Sequence, residues 1–139
     1  MKNYECKCVL KSIDENGKEI KKTELYLVLD AETCSDAEYR VMAEKSKLGG
    51  FECEIVSSKE SKLDYTEFDE QINDQFYKVV CKETIVNDDG KIQMHTHYNL
   101  INGDNLFNVA NLMNDGQIDF EVTSISKSRI VEIIAKNEE

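Results

Sequence analysis

Laying Tyr4 on Tyr77 brings Cys8 onto Cys81, Gly17 onto Gly90 and Lys18 onto Lys91, and Thr23 on Thr96, Leu27 on Leu100 and Ala37 on Ala110 follow without a gap. Past the next stretch the frame shortens, so that Glu54 meets Glu121, Ser57 meets Ser124 and Ser61 meets Ser128. Self-similarity of this kind constrains a fold more than composition does, because each copy must form the same supersecondary unit. The expected architecture is α+β: a tandem pseudo-twofold repeat of ββαβ units, giving an antiparallel sheet with two helices. Residues 4–63 form the first unit, 64–75 an acidic linker and 76–134 the second, within a single domain 1–139.

Local signals in the two copies come in one order. Alternating apolar runs flank Asp14-Glu15-Asn16-Gly17 in the first and Asn87-Asp88-Asp89-Gly90 in the second, and Asn-Gly or Asp-Gly in that setting predicts a hairpin. A two-residue turn at Asn16-Gly17 sets Cys6 and Cys8 opposite Leu27 and Leu25. The same register in the second copy sets His95 and His97 opposite Thr84 and Lys82, and Cys81 opposite Tyr98.

Ser35 followed by Glu38 fits a capping box that opens a helix running to about Lys47, with Cys34, Ala37, Val41 and Leu48 as its apolar stripe. Gly49-Gly50 closes it, and Phe51, Cys53 and Ile55 then alternate as the inward side of a third strand, with Ile118, Phe120 and Val122 as counterparts. The second helix is expected over about Asn105–Asn114, capped from Asn102 or Asp104, with Leu106, Val109, Ala110 and Met113 apolar. The run from Phe120 to Ile134 is too long for one ordinary strand and has a polar middle at Ser126–Arg129, which predicts two strands joined by a bend. Lys136–Glu139 should fray.

A chain of 139 residues can bury roughly 70% of its unfolded surface, enough for a core without staples. Five cysteines, an odd number without an apolar leader before them, point to reduced, buried thiols in a cytoplasmic protein and not to disulfides. No stretch is apolar enough to span a bilayer, so no membrane association is expected. The net charge of −11 disfavours non-specific nucleic-acid binding. Five acids and no base fall within 64–75, around Tyr65, Phe68 and Ile72, a segment that reads either as a partner-binding stretch or, the favoured reading, as a crossover packed on the sheet.

The residues that could carry chemistry are few. His95 and His97 point the same way on a strand but lack a third ligand, and they read as solvent-facing or interface histidines. Cys6, Cys8, Cys34, Cys53 and Cys81 sit on apolar faces, where burial suppresses thiolate formation. Asp69-Glu70 and Asp88-Asp89 read as solvated acids of a linker and a turn, and Lys21, Lys22, Lys127 and Arg129 as strand-edge charges. Phosphate-loop, dinucleotide, nucleophile-elbow and metalloprotease motifs do not occur. No residue is assigned a catalytic, cofactor-binding or metal-binding role, and no cofactor is expected.

The segments YLVLDAETCSDAEYRVMAE, FECEIVSSKESKLDYTEF, QFYKVVCK and FEVTSISKSRIVEII resemble a domain-of-unknown-function family of small proteins from phages and mobile elements of gut anaerobes. The resemblance spans nearly the whole chain and departs in the second helix, which is shorter and richer in Asn. It implies a phage setting, so a host cytoplasm, and an acidic protein without a recognised active site. The expected function is that of a non-enzymatic phage-type binding protein in counter-defence, sequestering a nucleotide immune signal or blocking a host effector. The alternative is an accessory protein of phage replication or nucleotide metabolism. A homo-oligomer is expected, with a host protein or a small nucleotide ligand as partner.

Overall fold

The computed structural model describes residues 1–47, 49–67, 75–114 and 121–135. The chain is a mixed α+β protein, mostly strand. In order it forms β1 (Lys2–Ile13), β2 (Glu19–Ala31), α1 (Cys34–Ser46), β3 (Glu52–Ser61), β4 (Asp64–Thr66), β5 (Phe76–Val86), β6 (Ile92–Asn102), α2 (Leu106–Asn114), β7 (Glu121–Lys127) and β8 (Ile130–Ile134). Two compact units result, one of Met1–Lys62 with Arg129–Glu139 and the other of Leu63–Ser128. Neither described helix is long and apolar enough to cross a membrane.

In the first unit the strand order is β3-β1-β2-β8, with β1 antiparallel to both β2 and β3 and β8 parallel to β2. In the second it is β4-β6-β5-β7, with β5 antiparallel to β6 and β7 and β4 parallel to β6. The antiparallel sheet expected from the sequence is therefore two mixed sheets, each closed by a short parallel strand. Residues 64–66 of the acidic 64–75 stretch form β4, while 68–74 lie outside the described residues, as do Asp69-Glu70, Phe68 and Ile72. Residues 130–134, read as the end of the second unit, form the outer strand of the first unit's sheet. The bend between β7 and β8 falls at Ser128–Arg129. Lys136–Glu139 lie outside the described residues.

Both hairpins turn in one way, and it differs from the two-residue turn expected. Gly17 N donates to Asp14 O at 3.0 Å and Asp14 N to Lys18 O at 2.9 Å, and Gly90 and Asn87 repeat the pattern with Asn87 and Lys91 at 2.9 and 2.8 Å. Gly17 and Gly90 have φ of 78° and 82°. This is a type I turn followed by a left-handed residue, a loop one residue longer than a primed turn. Asp14 favours it by accepting from Asn16 N and Lys18 N at 2.9 and 2.8 Å. The pairing shifts by one as a result. Cys6 lies opposite Tyr26, Cys8 opposite Glu24, His95 opposite Glu83, His97 opposite Cys81, and Tyr98 opposite Val80.

The helix caps also move. Thr33, not Ser35, starts α1, its Oγ1 accepting from Asp36 N at 3.1 Å, and Asp36 reaches back to Glu32 N. Asn105, rather than Asn102 or Asp104, caps α2 by accepting from Asn108 N at 2.8 Å. Tyr4, Cys6, Cys8, Leu10, Tyr26 and Val28 meet Ala37 and Val41 in the first core, with Cys34, Cys53 and Ile55 at its margin. Tyr77, Val79, Cys81, Ile101 and Val109 form the second, flanked by Val122 and Ile125. Phe51, expected inward, is exposed and precedes β3, and Leu106 is exposed on α2. Ile118, Phe120 and Leu48, and the side chain of Met113, lie outside the described residues.

Candidate functional site

The chemistry-bearing groups of the first unit gather where α1 crosses its sheet. Lys45 takes the helical position one turn after Val41 and is buried, an uncommon place for an ammonium. Its Nζ pairs with the Glu132 carboxylate of β8 and lies 4.5 Å from the centroid of the Tyr26 ring. Charge pairing and the ring's negative face together offset the cost of burying that cation. Tyr26 is fully buried, its hydroxyl without a hydrogen-bond partner of good geometry. Burial raises the phenol's pKa, and the Glu24 carboxylate adds to the effect.

Nearer the start of α1, Ser58 Oγ donates to Glu38 Oε1 at 2.7 Å and is in contact with Cys34 Sγ. At the strand-to-helix corner Arg40 Nη1 donates to Leu29 O at 2.7 Å, while Nη2 donates to Asp30 O at 2.6 Å and Asp36 Oδ2 at 3.1 Å. Asp30 holds φ of 54°, the left-handed region, and its N–H is taken by Asn3 Oδ1 at 3.0 Å. The guanidinium therefore braces a strained corner of β2 and is committed to structure.

The strand thiols Cys6, Cys8, Cys53 and Cys81 are inward, as the alternation of their own strands requires, and Cys34 stands at the start of α1. Cys6 and Cys8 are fully buried and Cys81 nearly so, whereas Cys34 and Cys53 are half-buried. Burial pushes Cys6 up to about 12, with Cys34 and Glu38 adding to it, and burial with Cys53 alongside pushes Cys8 up as well. Such thiols are poor nucleophiles at neutral pH. They also set an alkaline limit: the folded state keeps the Cys6 proton while the unfolded chain releases it above about 9. The contribution to stability is then complete below that point and is lost progressively as pH rises towards the folded-state value near 12, because the unfolded chain binds fewer protons over that window. Urea unfolding at pH 8, 9 and 10 should show this fall, and Cys6→Ala should make it shallower, with Cys8 supplying what remains.

In the second unit His97 Nε2 lies 2.8 Å from Glu83 Oε2, so the histidine's neighbour is a carboxylate and not the lysine expected from the earlier register. His95 is exposed beside it, opposite Glu83. Among the described residues no group of three His, Cys, Asp or Glu side chains is placed to hold a metal ion. Lys21, Lys22, Lys127, Arg129, Asp88 and Asp89 are placed outward or at the margins of the sheets, and Lys22 pairs with Glu24 at 3.4 Å. Tyr65 packs edge-on to Phe76, their centroids 6.0 Å apart. The Lys45, Glu132 and Tyr26 cluster could not be found from the sequence, because Lys45 falls on a polar-looking helix and Glu132 reaches it only through a parallel pairing distant in the chain.

Apolar side chains also remain outward. At the turn end of the first hairpin Ile13 and Ile20 are exposed, and at the same end of the second Val86, Ile92 and Met94 are exposed. No curated protein and no solved structure matches this chain. A family model does, over residues 2–136, and the chain belongs to the family described as a domain of unknown function, DUF4494.

Proposed function

We propose that this chain is a non-enzymatic binding protein that acts as a self-associated body. The observation that carries the reading is the contrast between its inside and its outside. Lys45, Arg40 and the buried thiols are engaged in structure, whereas the outer ends of both hairpins present Ile13, Ile20, Val86, Ile92 and Met94 to solvent. Apolar groups that share one face, as Val86, Ile92 and Met94 do, mark contact surfaces. The tandem ββαβ repeat read from the sequence gives the chain two like hairpins, each with a left-handed glycine in a turn of one type, but the second is the one whose apolar end lies on one face, since Val86 is opposite Ile92 whereas Ile13 and Ile20 lie opposite Glu19 and Ser12. The setting is the phage-type one that the resemblance implies, in which a small acidic protein counters host defence by holding a nucleotide signal or occupying a host effector.

Light scattering of the purified protein should find a dimer at micromolar concentration. Met94→Glu should shift it to monomer by tenfold or more in dissociation constant, with unchanged circular dichroism, because substituting an exposed side chain seldom costs much stability. Calorimetry against a nucleotide panel then separates signal capture from effector blocking. A wild-type monomer at high micromolar concentration sinks the self-association on which the reading depends.

A further inference from the structure

β6 is paired with β5 along its whole length but with β4 only from Asn99 to Ile101. Among the described residues no strand pairs with Ile92–Thr96 on the side away from β5. The ladder has a definite phase. Asn87 and Lys91 close the hairpin by hydrogen bond, so the odd-numbered residues of β6 turn their N–H and C=O towards β5. Ile92, Met94 and Thr96 therefore turn theirs outward.

An open strand edge is a template for pairing, and proteins ordinarily guard it with charge, proline or a bulge. The comparable open stretch of β2 carries Glu19, Lys21, Lys22 and Glu24, and β3 at the sheet's far edge carries Glu52, Glu54, Lys59 and Glu60. The β6 edge carries no such guard. Residues 92–103 contain no Asp, Glu, Lys, Arg or Pro, in a chain with 28 acidic and 17 basic residues.

We propose that this edge pairs with the same edge of a second copy, antiparallel about a two-fold axis at His95. The inference rests on the self-association proposed above and names where it occurs. A second copy is the occupant for two reasons. With a net charge of −11, two copies repel over most of their surfaces and can approach at least cost where neither carries charge. Antiparallel self-pairing also satisfies its own edge, since the outward N–H and C=O of Met94 meet those of Thr96 on the partner strand. The register about His95 pairs the uncharged run with itself and leaves Lys91 beyond it. Met94 then lies beside Thr96 and Ile92 beside Tyr98 across the axis, so two side chains that are exposed in the single chain gain cross-strand neighbours.

Thr96→Pro is the discriminating variant. Its missing N–H is an outward one, so the β5–β6 ladder keeps its bonds while the edge loses a donor and gains a steric block. The expected result is a wild-type dimer and a Thr96→Pro monomer, at least tenfold weaker in association, with unchanged circular dichroism. Amide hydrogen exchange of the wild type gives a second measurement that needs no substitution. The Met94 and Thr96 amides should be protected at high concentration and exchange at least tenfold faster on dilution. If the wild type is a dimer whose Met94 and Thr96 amides exchange freely, or if a folded Thr96→Pro remains dimeric, the edge is not the interface and self-association through another surface stands. A wild-type monomer overturns both.

Discussion

Glu132→Ala is expected to lower the unfolding free energy by about 3 kcal/mol, which denaturant titration would register as a shift of midpoint without loss of cooperativity. The substitution leaves the buried Lys45 ammonium without its carboxylate, so the cost is the desolvation of an unpaired charge more than the loss of a contact. The Glu132 side chain is itself partly exposed, which places the effect at the lower end of what breaking a buried pair costs. Lys45→Met together with Glu132→Leu should recover most of the loss, since two apolar groups need no solvation. If the double variant is no better than the single one, what matters is the shape of the Lys45 stem over Tyr26 and not its charge.

Gly103→Ala should cost about 1–3 kcal/mol, a large effect for one methyl group. A Cβ built at this buried position clashes with Val109 Cγ2, with Tyr77 behind at 3.6 Å. Gly103 N also donates to Gln75 O at 3.1 Å, so the backbone cannot withdraw freely. The helix must give instead, and Val109 is the one fully buried side chain that α2 contributes to the described core. Val109→Ala alone removes packing, yet beside Gly103→Ala it makes room. The pair should therefore cost less than the sum of the singles by about 1 kcal/mol in a double-mutant cycle. Strict additivity would mean that the clash relaxes in another direction.

Much of the local structure was legible because it is set by residues close in sequence. Both hairpins lie where Asn16-Gly17 and Asp89-Gly90 place them, and the inward thiols follow from strand alternation alone. The register was not legible. A glycine after Asn or Asp serves a primed two-residue turn and a type I turn with a left-handed fourth residue equally well, and the choice between them shifts every cross-strand partner by one. His97 consequently meets Glu83 and not Lys82. The cap of α1 was ambiguous for a similar reason, since Thr33 with Asp36 and Ser35 with Glu38 both fit the capping spacing. The parallel pairings of β4 and β8 leave no local signature, because each is decided by an edge far away in the chain. Lys45 became a core residue only when β8 brought Glu132 to it.

The placement of β8 has a consequence for synthesis. Translation emits β1 and β2 first, yet the sheet that holds them takes its fourth strand from residues 130–134, after the whole of Leu63–Ser128 has been made. The later-made unit can close its own sheet before the earlier-made one, reversing the ordinary vectorial order in which N-terminal structure consolidates first. During that interval Leu25–Val28 offers a bare edge, and Lys45 lacks its counter-charge. Premature termination anywhere before Ile130 leaves both conditions permanent, which makes incomplete chains recognisable by the same exposed strand and unpaired ammonium that completion hides.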